Sequence, residues 1–562
     1  MDKLLKLGLF LLPLLLLAGC RESWLEDSHD PLYFTSRPEV MQNPNKSVPL
    51  AAILKFETNH PVTSRVFLSD GECQREIIFE NDQTYRKSLP IVELCPDRDY
   101  TLVVEAQDKI GQKINSKVMN YQSPPLPGGS EKFPRITNQV FDEYAVEPGL
   151  ILFNPRRRIP TNSETLQGSE REDFNKNFGL LTAVNSEGEL AWYYKADSRI
   201  SDFRFIENGH IVYITQDNRL VEIDLLGNIV NQWYAKGRPE GEGEGVAVDT
   251  LTFHHSVKQL ENGNFLILGT DRRRIENYYT SSKDPDAPRE PQWVMGDEII
   301  EFDRWGKVHW RWNAFEHLDT HRIGYMTFSG YWERRGWPDT LDWTHANSAS
   351  FLQNEKAVLL NLRHQSAVLK IDKTSKDIEW IAGEHSGWPE EMKNKLLTLK
   401  GSERWFWHQH APELTPEGNL LVFNNDNFRA RPFDKPAPPA EIRSCAQEYR
   451  IDEENKTITK IWSSRKADDQ VLPSFAMGSA AALPETGNVL AGYGLMFRKE
   501  DLKEASWDTR RQYIGTTQIR EYTRRPETRL VRKITLTARD SSSGIGWSLY
   551  GARNVKSLYK GK

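Results

Sequence analysis

One supersecondary pattern recurs along most of this chain. DFRFIENGHIVYIT (202–215), HHSVKQLENGNFLILG (254–269), HANSASFLQNEKAVLLNLR (345–363), HQHAPELTPEGNLLVFNN (408–425) and MGSAAALPETGNVLAGYG (477–494) each read as a short strand, a tight turn usually holding Gly, and a second apolar strand. Two more strands follow each hairpin, as in RLVEIDLLGNIVNQWY after the first and AVLKIDKTSKDIEWI after the third. Four antiparallel strands per repeat, the outer one often aromatic, is the pattern of a β-propeller blade. A sixth blade begins at Gly149-Leu150-Ile151-Leu152 and continues through GLLTAVNSEGELAWYY. It lacks one strand, which the C-terminal WSLYGARN is placed to supply, closing the ring. The chain is therefore read as all-β, with a six-bladed β-propeller over 146–562. Its largest insert, Asn313–Leu341, holds HRIGYMTFSGYWERRGWPD, either a lid over one end of the propeller or a loop packed on its own aromatics.

Ahead of the propeller, residues 31–125 read as a small immunoglobulin-like β-sandwich, with alternating runs such as Ala51–Phe56, Ser64–Leu68 and Tyr100–Ala106. Ser123-Pro124-Pro125-Leu126-Pro127-Gly128-Gly129 opens a linker taken as 126–145. At the N-terminus, Lys3 and Lys6 precede an apolar run from Leu7 to Gly19, too short for a span but suited to a secretory signal. Leu17-Ala18-Gly19-Cys20 resembles a bacterial lipobox, so residues 1–19 are read as a lipoprotein signal peptide, Cys20 as the lipidation site and 20–30 as a tether. The expected address is the periplasmic side of a bacterial membrane, the outer membrane being favoured because Arg21, not Asp, follows Cys20. In that oxidising compartment Cys73 and Cys95, in one small segment, are expected to pair, leaving Cys445 over. The net charge of -6 and the want of a basic block argue against a nucleic-acid partner, and a homodimer is compatible with the sequence.

The repeat can be aligned on itself by superposing Ile206, Leu260, Phe351, Leu414 and Leu483, each just before a turn. Six positions earlier stand Ile200, His254, His345, His408 and Met477, and four positions earlier Asp202, Ser256, Asn347, His410 and Ser479. Residues two apart on a strand share a face, so both rungs of the inner strands are expected to face the central channel. Four histidines on these rungs, beside Asn347, predict a functional cluster. His255 has the opposite parity, unless a twist at the strand start reverses it. Arg363 and His364 end the second strand of LLNLRHQ near the same mouth, where a guanidinium suits a sulfate, phosphate or carboxylate oxygen.

Asp342-Trp343-Thr344-His345-Ala346-Asn347-Ser348, then Arg363-His364-Gln365, then Gln409-His410, resemble the motifs of bacterial arylsulfate sulfotransferases, which work without a nucleotide sulfate donor. The resemblance covers the chain from about residue 31 to its end. It implies a catalytic histidine at His410, with further active-site positions at His254 or His255, His345, Asn347 and Arg363. His408 is an imidazole outside the family pattern, and is grouped with His255 as substrate-binding; the lipobox also departs from the soluble periplasmic members.

The chemistry expected from this set is sulfuryl transfer from an aryl sulfate donor to a phenol acceptor, with no cofactor and no metal. Imidazole is a neutral nucleophile near neutral pH and can approach the sulfur of a singly charged sulfate ester. His410 would attack to form a sulfohistidine, splitting the transfer into two displacements in a ping-pong sequence. Arg363 and Asn347 would hold the sulfuryl oxygens, and His254 or His345 would carry the phenolic proton. Two rivals come from other classes: a metal-dependent propeller hydrolase, for which Asp202 is the only acid on the rungs, and a non-catalytic membrane-anchored scaffold.

Overall fold

The computed structural model describes residues 30–560 apart from 402, 468–471 and 499–500, so the signal segment and Cys20 lie outside the described residues. Beyond residue 134 the strands form six separate sheets of four or five strands. The innermost strands in chain order are Ile200–Phe205, His254–Gln259, Ala346–Leu352, His410–Leu414, Ser479–Ala482 and Gly546–Val555. Each packs on its two neighbours around a ring, and Gly546–Val555 touches both Ser479–Ala482 and Ile200–Phe205. The C-terminal strand thus completes the blade of Leu150–Arg158, where it pairs antiparallel, and locks the propeller shut.

Local chemistry explains the regularity. The inner hairpins turn at Gly209, Gly263, Gly418 and Gly487, all at positive φ, where only glycine is free of a Cβ penalty. The hairpin without glycine turns through Gln353–Glu355 and puts Lys356 in the left-handed region at φ 49°. Outer hairpins are pinned by aspartates: the Asp224 carboxylate accepts from the Leu226 and Asn228 amides, and Asp303 accepts from Trp305 and Lys307.

Several blades carry a fifth strand. Thr398–Leu399 runs parallel to Thr457–Ser463, and Arg135–Val140 pairs antiparallel with Leu530–Thr537. The second of these lies inside 126–145, so part of the expected linker covers the outer edge of a blade. An uncovered edge strand invites pairing with other chains, and a short extra strand removes that hazard.

The N-terminal unit is all-β but is hydrogen-bonded as one six-stranded sheet. Its two longest strands, Ala52–Ser69 and Gln74–Ile91, pair along both halves, with register shifts between Glu57 and Ser64 where they bend. Both halves share one core, including Leu54, Phe56, Val66 and Leu102. The expected Cys73–Cys95 disulfide is absent: both thiols are free, Cys73 exposed beside a hairpin turn and Cys95 buried. Cys95 instead faces the propeller, its Sγ 3.5 Å from a Glu189 oxygen, and burial raises its pKa to about 11. Arg98 strengthens that seam by donating to Asp70 and Glu189.

Candidate active site

The inner strands all begin at one end of the channel, and a cavity of about 340 Å³ opens there. His255, His345, His364, His410, Arg363 and Tyr331 are among its lining residues, with Tyr550 crossing its floor. The Tyr550 hydroxyl donates to the carbonyls of His255 and, at 3.3 Å, Asn347, joining three blades. Four of the expected site residues, His255, His345, His410 and Arg363, are therefore brought together.

His254, His408 and Asn347 are not on the cavity wall, and the strand starts explain why. Strict alternation assumes extended backbone at every residue, whereas His255, His345 and His408 have φ of 57°, 47° and 50°. The register slips between His254 and Val257, a bulge that turns His255 into the cavity and His254 away from it. His254 Nε2 lies 3.0 Å from the Gly269 carbonyl and 3.3 Å from Asp297, and its ring packs edge-on against Trp332. His408 packs against His364 and Phe428, leaving its buried Nδ1 without a hydrogen-bond partner among the described residues.

Asn347 is committed to structure. Its Nδ2 donates to the Gln409 carbonyl at 3.0 Å, and its Oδ1 accepts from Asn361. Other residues of the same rung behave alike: Ser256 Oγ donates to the Ala349 carbonyl, Asp202 accepts from the Val257 amide, and Ser479 Oγ accepts from the Ala552 amide. Inner strands have one edge without a ladder partner, and these side chains satisfy the next strand's backbone groups across the channel. The polar rung thus has a structural cause, and His410 is its reactive exception.

The tautomer of His410 follows from its neighbour. Asn425 Nδ2 donates to the carbonyls of Ser474 (2.9 Å) and Met477 (2.8 Å), which fixes the amide and makes Oδ1 the acceptor. His410 Nδ1 lies 2.6 Å from that Oδ1 and must carry the proton, so Nε2 carries the lone pair. Burial, followed by the Arg363 charge, holds the His410 pKa well below the usual imidazole range.

His345 is arranged for proton transfer. Its Nδ1 lies 2.6 Å from Asp342 Oδ2, while Trp332 Nε1 donates to Asp342 Oδ1. Asp342 reaches this point because Thr340–Asp342 runs parallel to the strand Glu290–Phe302. The His345 ring stacks on His364 (centroids 4.6 Å apart) and meets His255 and Tyr331 edge-on. Burial and Arg363 also push His345 well below its ordinary pKa. Asp342, His345 and His364 are close enough to share a cation, their ligand atoms lying within 4.8 Å. The Asp342 carboxylate is already engaged by His345 and Trp332, and His364 Nδ1 faces the Asp342 carbonyl at 2.8 Å. That makes the trio a proton-relay geometry first.

Arg363 is only 6% exposed, and its guanidinium makes no hydrogen bond to any described residue. Burial lowers its pKa to about 10, so the group is charged at neutral pH and aimed at an anion. Tyr331, Arg334 and Arg335 come from the long insert, which therefore forms one wall of the site instead of packing only on itself. Sequence reasoning missed the arginines around that wall. Ten arginines line the cavity, most of them from three basic clusters, Arg156-Arg157-Arg158, Arg334-Arg335 and Arg510-Arg511. Each cluster is short, so a search for long basic blocks passes over them, and Arg272-Arg273-Arg274 and Arg524-Arg525 look alike in the sequence but do not line the cavity, so no sequence signal separated the three that do.

Fold and site together define a β-propeller with a histidine-lined, anion-seeking cavity at one mouth. Residues 138–536 match the arylsulfotransferase (ASST) family, and the chain belongs to it. An arylsulfate sulfotransferase AssT of Lelliottia amnigena is 24% identical over 381 residues, covering 55% of this chain and 60% of that protein. One from Escherichia coli O6:H1 is 23% identical over 384 residues with the same coverage. The chain thus spans about 60% of the length of these curated relatives. Among solved structures, a Bacteroides caccae protein of unknown function covers 72% of this chain and 98% of its own at 10% identity, with a TM-score of 0.37, too distant to argue from.

Proposed function

We propose that this protein transfers a sulfuryl group from an aryl sulfate to a phenol through a sulfohistidine at His410. The observation that carries the reading is the fixed Asn425 amide, which leaves the His410 Nε2 lone pair available beside an unpartnered Arg363. In the first displacement Nε2 attacks sulfur, the S–N bond forms, and the S–O bond to the ring breaks. The aryl oxygen leaves with the electron pair as a phenolate. Arg363 holds the sulfuryl oxygens as charge moves from one side of the sulfur to the other.

In the second displacement the acceptor oxygen attacks sulfur and the S–N electron pair returns to Nε2. The acceptor's proton passes to His345, which is neutral at rest, and the resulting imidazolium is stabilised by Asp342. The His345 imidazolium then gives that proton to water, and the phenolate released in the first displacement takes one from water, which balances the cycle. His255 and Tyr331 complete the wall against which the ring lies, and Asn347 acts as a positioning residue through the Gln409 carbonyl.

The test uses 4-nitrophenyl sulfate. Mass spectrometry after mixing without acceptor is expected to find one sulfuryl group on His410, and His410→Ala to lose it together with at least about four orders of magnitude in transfer rate. Unimpaired transfer in that variant would falsify the assignment. Metal analysis and chelation on the same sample separate this reading from a metal-dependent hydrolase.

A further inference from the structure

The cavity holds far more positive charge than one sulfate ester requires. Ten arginines and Lys176 line it, against two carboxylates, Glu172 and Asp342. Both acids are already engaged: Glu172 pairs with Arg171 at 2.6 Å, and Asp342 accepts from His345 and Trp332. Structural duties absorb part of the excess. Arg157 donates to the Phe174 and Glu131 carbonyls, and Arg199 donates to the Asn175 carbonyl. A second, outer group is left over. The Arg511 guanidinium has no hydrogen-bond or ion-pair partner among the described residues, and Arg158 Nη1 is buried without one.

These outer cations are held in place. Arg158 Nη2 donates to the Arg511 carbonyl, and Arg510 Nη2 lies 3.2 Å from Met326 Sδ in the long insert. The turn Arg510–Gln512 sits in the loop between Val489–Met496 and Thr516–Tyr522, so the blade of Ser479–Ala482 and the insert meet across the mouth. Burying like charges together without an acceptor is costly and persists when a ligand supplies the counter-charge. An aryl monosulfate carries one negative charge, which Arg363 beside His410 matches alone.

We propose that the natural substrate of this site is an aromatic compound with at least one further anionic substituent, a sulfate, sulfonate, phosphate or carboxylate. Arg158, Arg510 and Arg511 bind it while the transferring sulfate lies at Arg363 and His410. The proposal rests on the transfer reading for the inner position only. The outer position is defined by the arginines themselves.

Two stable probes decide it, benzenesulfonate and benzene-1,3-disulfonate, titrated by calorimetry into the whole protein at constant ionic strength. The disulfonate is expected to bind at least about tenfold more tightly, with a steeper loss of affinity on adding salt. A ratio of two or less, the statistical advantage of two equivalent ends, overturns the proposal. In Arg511→Gln and, separately, Arg158→Gln, the ratio is expected to fall toward two; a full ratio in both variants overturns the assignment to these residues. Turnover of 4-nitrophenyl sulfate is followed on the same preparation. Turnover with equal sulfonate affinities defeats only the second anion site, whereas no turnover with a tenfold ratio defeats the transfer reading and upholds the site.

Discussion

The two mouths of the same channel are built from the same six strands and are chemically unlike. Where the strands start, imidazoles crowd together and cationic side chains outnumber their carboxylate partners. Where they turn, a second cavity is lined by residues including Arg204, Lys258, Glu413 and Arg553. There the charges are matched: Arg204 and Arg553 both approach Asp202, and Glu413 accepts from the Ala482 amide. The difference teaches where a propeller can afford reactivity. Turn ends are fixed by hairpin geometry, while strand starts receive long loops from neighbouring blades, which can bring in Asp342, Tyr331 and Arg511 without disturbing the sheets.

The comparison is broken most directly by removing the anion-binding charge at the reactive mouth. Arg363→Gln is expected to lower kcat/KM for 4-nitrophenyl sulfate by about two to three orders of magnitude. A loss below about threefold would mean that the sulfuryl oxygens are held elsewhere.

A pH profile sharpens it further. His410 is held well below its ordinary pKa, so its neutral, nucleophilic form persists as pH falls through the usual imidazole range near 6.5. The donor half-reaction, read as a burst of nitrophenolate, is therefore expected to keep its rate between about pH 8 and pH 6. It should decline as pH rises through about 10, where Arg363 loses its proton. A midpoint near 6.5 on the acid limb would show an ordinary, solvated histidine.

The smallest effect belongs to the other mouth. Lys258, whose Nζ donates to the Phe351 carbonyl there, is expected to change kcat/KM by less than about twofold when replaced by Gln. A tenfold loss would mean that the turn end also handles substrate.

Much of this architecture was legible in the residues. Glycine-marked hairpins at matching positions set the blades, and WSLYGARN could be placed as the missing strand because the blade beginning at Gly149 was one strand short. His345 and His410 were singled out because they fall on the aligned rungs of the repeat, and Arg363 because it ends the second strand of LLNLRHQ at the same mouth. His254 and Asn347 were assigned to the cavity by the same logic and are not on its wall. The alternation rule has no means of anticipating a left-handed residue at the start of a strand.

What the sequence by itself determined is the periodic part: the number of blades, the inner-hairpin turn positions, ring closure and the blades that carry the imidazoles. Such features depend on local backbone preference and on burying one face of each sheet, both written in consecutive residues. Only the tertiary structure decided which imidazole of each pair faces the cavity, which nitrogen of His410 keeps its lone pair, and that three arginine clusters hundreds of residues apart share one mouth. Those outcomes depend on bulges and on contacts between distant loops, whose geometry exists only once the ring has closed.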